Sequence, residues 1–302
     1  MYKKYSDYLK EKYGEKVYKL PINIDATCPN RDGKISEGGC IFCAEEGAGH
    51  EASCNTISVK DQMESIKGKI SKRYGAKKFI AYFQNYSNTY IEFEKFKKYM
   101  EDACIEDVVE ISISTRPDCI EKKYLDFVYE LGKEKEVEIS FELGLQSVND
   151  KTLEKINRGH TLSQFVEAVN MIKKYKFDIT THLILNLPWD SMEDIVDAAK
   201  IMSKLNITCV KLHSLYIVKG TEMARMYANG DFEMISKDEY VNRVITFLKY
   251  LNKKIVVQRL LSRVPEERSE FSNWGMSWWK IKEEIEEIME KENINQGDKC
   301  TI

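Results

Sequence analysis

Tyr18-Lys-Leu-Pro-Ile-Asn-Ile-Asp-Ala-Thr-Cys28-Pro-Asn-Arg-Asp-Gly-Lys-Ile-Ser-Glu-Gly-Gly-Cys40-Ile-Phe-Cys43 runs from an apolar segment straight into a loop with three cysteines. Residues 18–26 read as a strand. A strand leading directly into a chemically loaded loop suits a parallel α/β fold, whose reactive groups stand at the C-terminal ends of strands. Cys40 and Cys43 have the two-residue spacing that lets two thiolates meet one metal centre, and Cys28 folds back across eleven residues. Closing eleven residues rather than three costs only about 1 kcal/mol more. Gly33, Gly38 and Gly39 supply turns, and Phe42 can shield a bound group from water.

Working outward, apolar strand candidates recur at 78–83, 108–114, 137–145, 179–187 and 209–218. Most are nearly continuous in apolar character, as strands buried on both faces are. Helical patterns lie between them at 60–74, 91–103, 121–132, 162–175 and 192–205. Six strand-then-helix units predict a parallel sheet curled into a partial (β/α)6, TIM-like barrel, residues 1–220. Beyond 220 a helix at 237–251, a short strand at 255–258 and a charged helix at 278–291 form a C-terminal extension, 221–302, packed on the same domain.

Composition narrows the class. The chain has 302 residues, 43% hydrophobic and 31% charged, enough for one sizeable core. It contains no run of eighteen apolar residues and its first residues lack an apolar signal region, which points to the cytoplasm and away from a membrane. Eight cysteines in such a chain fit metal chemistry better than a disulfide framework. A net charge of −3 does not announce a nucleic-acid binder, although basic clusters occur at 67–78 and 253–268.

Three thiolates can hold three irons of a [4Fe-4S] cube and leave the fourth iron open to a substrate or co-substrate. The alternative is a closed zinc site completed by Cys54 or His50, but zinc sites usually show two close cysteine pairs and this loop has one. The remaining cysteines, Cys104, Cys119, Cys209 and Cys300, have no ligand-like spacing.

Further motifs follow in order: Phe83-Gln-Asn-Tyr-Ser-Asn-Thr-Tyr90, Ser112-Ile-Ser-Thr-Arg-Pro-Asp-Cys119, Glu142-Leu-Gly-Leu-Gln-Ser147, Ile156-Asn-Arg-Gly-His160 and Lys211-Leu-His213. With the cysteine loop, this set closely resembles the radical S-adenosylmethionine (SAM) family of the YhcC/YtqA type. That group is similar to the catalytic subunit of Elongator and to oxygen-independent coproporphyrinogen oxidase. The resemblance spans residues 5 to 260 or so. It implies that Cys28, Cys40 and Cys43 bind a [4Fe-4S] cluster and that SAM chelates the fourth iron. It implies cofactor contacts from Gln84, Asn85, Ser114, Arg116, Gln146, Arg158 and His182, with His213 on the substrate side and Glu142 as an interior partner of Arg116. The family's His-Arg-Leu-Thr-Gly-Asp segment reads Gln258-Arg-Leu-Leu-Ser-Arg263 here.

The resemblance further implies reductive cleavage of SAM to a 5′-deoxyadenosyl radical, fed by a one-electron donor such as flavodoxin or ferredoxin. The expected substrate is a wobble uridine of tRNA, its 5-carboxymethylaminomethyl group trimmed towards aminomethyl. Arg259, Arg263 and Arg268 with Trp274, Trp278 and Trp279 could form a single-stranded RNA surface or simply cover the barrel edge. A small metabolite or protein side chain as substrate, and a zinc-stabilised adaptor without turnover, are the competing readings.

Overall fold

Apolar residues at every second position, between capped amphipathic helices, build this chain. The computed structural model describes residues 1–44, 54–263 and 266–302. In order these form α1 (Tyr5–Tyr13), β1 (Val17–Ile22), α2 (Val59–Tyr74), β2 (Lys78–Phe83), α3 (Phe93–Asp102), β3 (Val108–Thr115), α4 (Lys122–Lys135) and β4 (Glu138–Gln146). Then come α5 (Asp150–Lys155), α6 (Leu162–Lys173), β5 (Asp178–Ile184), α7 (Met192–Lys204), β6 (Cys209–His213), β7 (Ile217–Val218) and α8 (Glu222–Ala228). The chain closes with α9 (Lys237–Tyr250), β8 (Val256–Arg259), β9 (Ser269–Phe271) and α10 (Trp278–Lys291). Local chemistry sets the boundaries. Reciprocal capping boxes, Thr161 with Gln164 and Ser191 with Asp194, start α6 and α7. Gly75, with φ of 64°, ends α2 in the left-handed conformation a side chain would resist.

The fold is the expected curled parallel sheet, with one strand more than the six expected. Its order is β1-β2-β3-β4-β5-β6-β8, every pairing parallel. The seventh strand is the short segment read as part of the closing extension; α9 and β8 continue the helix-strand alternation. The segment 209–218 forms two strands instead of one, and β7 leaves the sheet to pair antiparallel with β9.

The strands are not apolar on both faces. Phe79, Ala81, Phe83, Ile111, Ile113, Phe141, Leu143, Val210 and Leu212 point outward into the core beneath the helices. The intervening residues, Tyr82, Ser114, Glu142, His182, Lys211 and His213, line a cavity on the concave face. Because side chains alternate across a strand, six of these inward positions interrupt what otherwise reads as apolar sequence. The sheet is therefore a half-barrel with an oily outside and a polar inside.

The N-terminal strand ends are closed by α1, which the sequence pattern did not reveal. Tyr13 donates its hydroxyl to Glu110 Oε2 at 2.7 Å, and Tyr8 donates to Asp178 Oδ2 at 3.0 Å. Lys12 meets Asp178 at 2.8 Å, and Lys78 donates to the Tyr13 carbonyl at 2.8 Å. Among the described residues no helix is long and apolar enough to cross a membrane.

Candidate active site

The open end of the half-barrel holds a cavity of about 360 Å³. The loop after β1 brings Cys28, Cys40 and Cys43 to it, the segment after β2 brings Gln84 and Tyr86, and the end of β3 brings Ser114 and Arg116. Gln146, Arg158, His182 and His213 complete the set expected from the sequence. Asn85 is the exception: it is buried at 3% exposure and does not line the cavity. A broader hollow of about 860 Å³ touches Cys40 and Cys43 from the other side, but only the deeper cavity meets all three thiols.

Each thiol faces its own guanidinium. Arg116 Nη1 lies 3.8 Å from Cys28 Sγ, Arg158 Nη1 lies 3.6 Å from Cys40 Sγ, and Arg31 Nη1 lies 3.5 Å from Cys43 Sγ. Asn30 adds a donor 3.7 Å from Cys40 Sγ. Burial, with Cys40 beside it, pushes the Cys43 thiol up to about 11, while Arg31 pulls the other way. Three cationic donors around three sulfurs favour the thiolate form that a metal requires. Cys54, one candidate for a fourth zinc ligand, is exposed and bonded to its neighbours Asn55 and Thr56. His50, the other, lies outside the described residues. Among the described residues no three His, Cys, Asp or Glu side chains converge closely enough for one metal ion.

The segment 156–160 laces the cysteine loop in place. Ile41 donates to the Ile156 carbonyl at 3.1 Å, and Asn157 Nδ2 reaches Ser36 Oγ at 2.9 Å and the Gly39 carbonyl at 2.8 Å. Asn30 in return donates to the Asn157 carbonyl. Arg158 donates to the Gly144 carbonyl through Nη2, while its Nε is buried without a partner. Gly144 has no room for a side chain: a Cβ would stand 2.8 Å from Arg158 Nη2 and 3.0 Å from Gln146 Nε2. Beside it the β4–β5 register slips, and Gln146 takes a φ of 81°. That bulge re-aims Gln146 at the cavity, a strained conformation of the kind that collects at functional sites.

Arg116 does not pair with Glu142. Its Nε and Nη2 grip Asp118 at 2.9 and 3.0 Å, because the turn Arg116-Pro-Asp places that carboxylate two residues away. Glu142 sits deeper, in a network of its own. Tyr82 donates to it at 2.7 Å, Lys211 at 3.0 Å and His182 at 2.6 Å, and Lys19 contacts its other oxygen. Burial alone would raise the Glu142 carboxyl, but Lys19 and Lys211 with His182 hold it well below the usual range. Burial draws Lys211 down to about 7 despite Glu142, with Arg259 and Lys19 adding to the effect. Burial and Lys211 lower His182 to about 4, and burial and Arg259 hold His213 well below its ordinary value. Both imidazoles are neutral near pH 7. They stack with centroids 5.2 Å apart.

Sequence reasoning gave Arg31, Asn30, Lys211 and Arg259 no role in the site. All four stood as polar residues inside quoted segments, and Arg259 was read only as a candidate for an RNA surface or the barrel edge. The aromatic segment divides. Trp274 is structural, donating to the Ile235 carbonyl at 2.8 Å, whereas Trp278 stacks under Arg263 at 4.1 Å and Trp279 is 46% exposed.

Comparison with known proteins agrees with this fold. The model of the radical SAM superfamily matches residues 27–202, and that of the radical SAM C-terminal domain matches 207–291. The chain is 33% identical to YtqA of Bacillus subtilis, over 96% of this chain and 90% of that protein. It is 26% identical to the tRNA uridine(34) acetyltransferase of Methanocaldococcus jannaschii, over 55% of this chain and 29% of that protein. Among solved structures, Elp3 of Methanocaldococcus infernus superposes with a TM-score of 0.70 at 19% identity, covering 93% of this chain and 64% of that one.

Proposed function

The chain belongs to the radical SAM superfamily, and from that premise we propose that Cys28, Cys40 and Cys43 hold a [4Fe-4S] cluster with one iron left for SAM. The observation that carries this reading is the set of three thiols on one cavity, each with its own arginine and no fourth cysteine lining the wall. The cavity also fits a polar cofactor. Arg158 Nε is a buried polar atom still without a partner, so a bound carboxylate would satisfy a group otherwise costly to leave unpaired.

Bound there and fed by a one-electron donor, a cluster and SAM would supply the chemistry of hydrogen-atom abstraction from substrate. The residues do the rest. Arg158 offers a fork to the methionyl carboxylate, and Gln146 offers one donor and one acceptor to the ribose. Gln84 and Ser114 complete the cradle from the ends of β2 and β3, and His182, neutral and fixed on Glu142, can accept or donate one hydrogen bond without adding charge. Arg116 and Arg31 favour the thiolates. Phe42, Tyr82, Tyr86 and Tyr216 line the cavity and exclude water from it.

The substrate in this reading is the wobble uridine of tRNA, its 5-carboxymethylaminomethyl group shortened to aminomethyl. Support comes from the similarity to a tRNA uridine(34) acetyltransferase. The Arg263–Trp278 stack beside the cavity is a surface on which an extruded base can rest. The test has two arms. Anaerobically reconstituted protein, given dithionite and SAM, forms 5′-deoxyadenosine, and Cys40→Ala abolishes it together with bound iron; a colourless, iron-free wild type overturns the enzyme reading. Deletion of the gene raises 5-carboxymethylaminomethyluridine in bulk tRNA. Unchanged wobble nucleosides reject the tRNA assignment and leave a metabolite or protein side chain as substrate.

A further inference from the structure

The inside of the half-barrel around Glu142 carries more positive charge than that one carboxylate can balance. Lys19 and Lys211 both point at Glu142, which also takes hydrogen bonds from Tyr82 and His182, so its two oxygens are fully engaged. Arg259, at the end of β8, also lines the cavity and has no carboxylate partner among the described residues. Its Nη2 lies 2.7 Å from His213 Nδ1, and its Nε is buried and unpartnered. A neutral imidazole orients a guanidinium without cancelling its charge. Ser262, 3.2 Å from the same ring nitrogen, fixes the ring.

A guanidinium with a buried, unpaired nitrogen is costly to hold unless an anion completes it. This one faces the cavity, across the sheet from the three thiols: the cysteine loop follows β1 at one edge, and Arg259 ends β8 at the other. We propose that Arg259, held by His213, is the specificity residue that binds a carboxylate carried by the substrate. A planar fork with one nitrogen still to be satisfied matches a planar carboxylate. The neighbouring lysines are already committed to Glu142, which leaves charge for a compact monoanion rather than for a phosphate dianion. Binding there would hold the group next to the carboxylate within the cavity, on the side away from the thiols. The inference rests on the radical SAM reading of the cavity and deepens it by naming the substrate class.

The test uses N-methylglycine, a small amino acid with the same secondary amine and carboxylate as a carboxymethylamino group. It is titrated into reconstituted, SAM-bound protein and followed by NMR line broadening, with inorganic phosphate as the parallel probe. Wild type is expected to bind N-methylglycine at least tenfold more tightly than phosphate. Arg259→Gln is expected to weaken N-methylglycine at least tenfold, and Arg259→Lys, which keeps the charge and loses the fork, to fall between. Melting temperatures of both variants confirm that they are folded. Equal affinity in wild type and Arg259→Gln overturns the proposal, as does tighter binding of phosphate. Loss of affinity for SAM in place of N-methylglycine also overturns it, by moving Arg259 to the cofactor. Arg259-dependent N-methylglycine binding with unchanged tRNA nucleosides in the deletion strain keeps this inference and rejects only the tRNA substrate.

Discussion

Lys211 Nζ lies 3.0 Å from Glu142 Oε2, joining β6 to β4 across the inside of the half-barrel. Glu142 is 1% exposed and serves Lys19 as well, so a buried and a half-buried cation depend on one carboxylate. Removing one partner of a buried pair leaves the other uncompensated, at a cost of about 3–5 kcal/mol. Glu142→Gln is expected to lose that much stability in urea denaturation, and Glu142→Gln combined with Lys211→Met to recover more than about 1 kcal/mol of it. A single-variant loss below about 1 kcal/mol would show that the network is not buried as described.

The same pair sets a pH dependence. Burial draws Lys211 down to about 7, from its ordinary 10.5. Between those values the unfolded chain binds the proton and the folded chain does not, so this residue makes stability rise with pH across the window. The stability difference between wild type and Lys211→Met should grow by on the order of 1–3 kcal/mol from pH 7 to 10. Parallel curves for the two proteins over that range would contradict it.

At the other end of pH lies Glu286, on α10. It receives Tyr2 Oη at 2.8 Å and meets Lys4 at 2.9 Å and Lys282 at 2.7 Å. Burial opposes its ionisation, but Lys282, Lys4 and Tyr2 outweigh that and lower it to about 2. Its contribution is present above the ordinary 4.5 and is lost as pH falls from there towards 2. Solvent screening limits it to on the order of 1 kcal/mol. Glu286→Gln should flatten the acid limb of the stability curve by that amount, measured by urea denaturation between pH 5 and 2.5.

Gly159 holds a φ of 71°, and a methyl group there would stand 2.5 Å from Asn30 Oδ1 and 2.9 Å from Ile35 Cγ2. Gly159→Ala is expected to cost at least about 2 kcal/mol through strain and overlap. It should also lower iron content after reconstitution, because Asn30 is a neighbour of Cys40. Gly68, inside α2 with open space around it, is the control: Gly68→Ala should gain up to about 1 kcal/mol and leave iron content unchanged.

Strand and helix periodicity made the curled sheet legible, and the cysteine spacing marked the mouth of the cavity. The seventh strand was read as a short strand at 255–258, but nothing in its local pattern showed that it pairs with β6 to extend the sheet. Glu142 and Arg116 looked like mates because both end up inside; a local turn gave Arg116 the nearer Asp118. The polar inner face hid within apolar segments, since Lys211 and His182 each occupy one position among β-branched or aliphatic neighbours. Gln146 was found, but its bulge was not, because a register slip depends on the strand beside it. The helix α1 escaped notice for a different reason: its tyrosines and lysines reach distant carboxylates, Glu110 and Asp178, that no local pattern connects to it.

That helix determines traffic. With α1 packed against the N-terminal strand ends, the doorway to the cavity lies at the opposite rim of the half-barrel. A molecule as large as a folded nucleic acid would block that doorway once docked, so the small co-substrate has to be seated first and its fragments leave last. Steady-state kinetics should accordingly show compulsory ordered addition, the bulky reactant second.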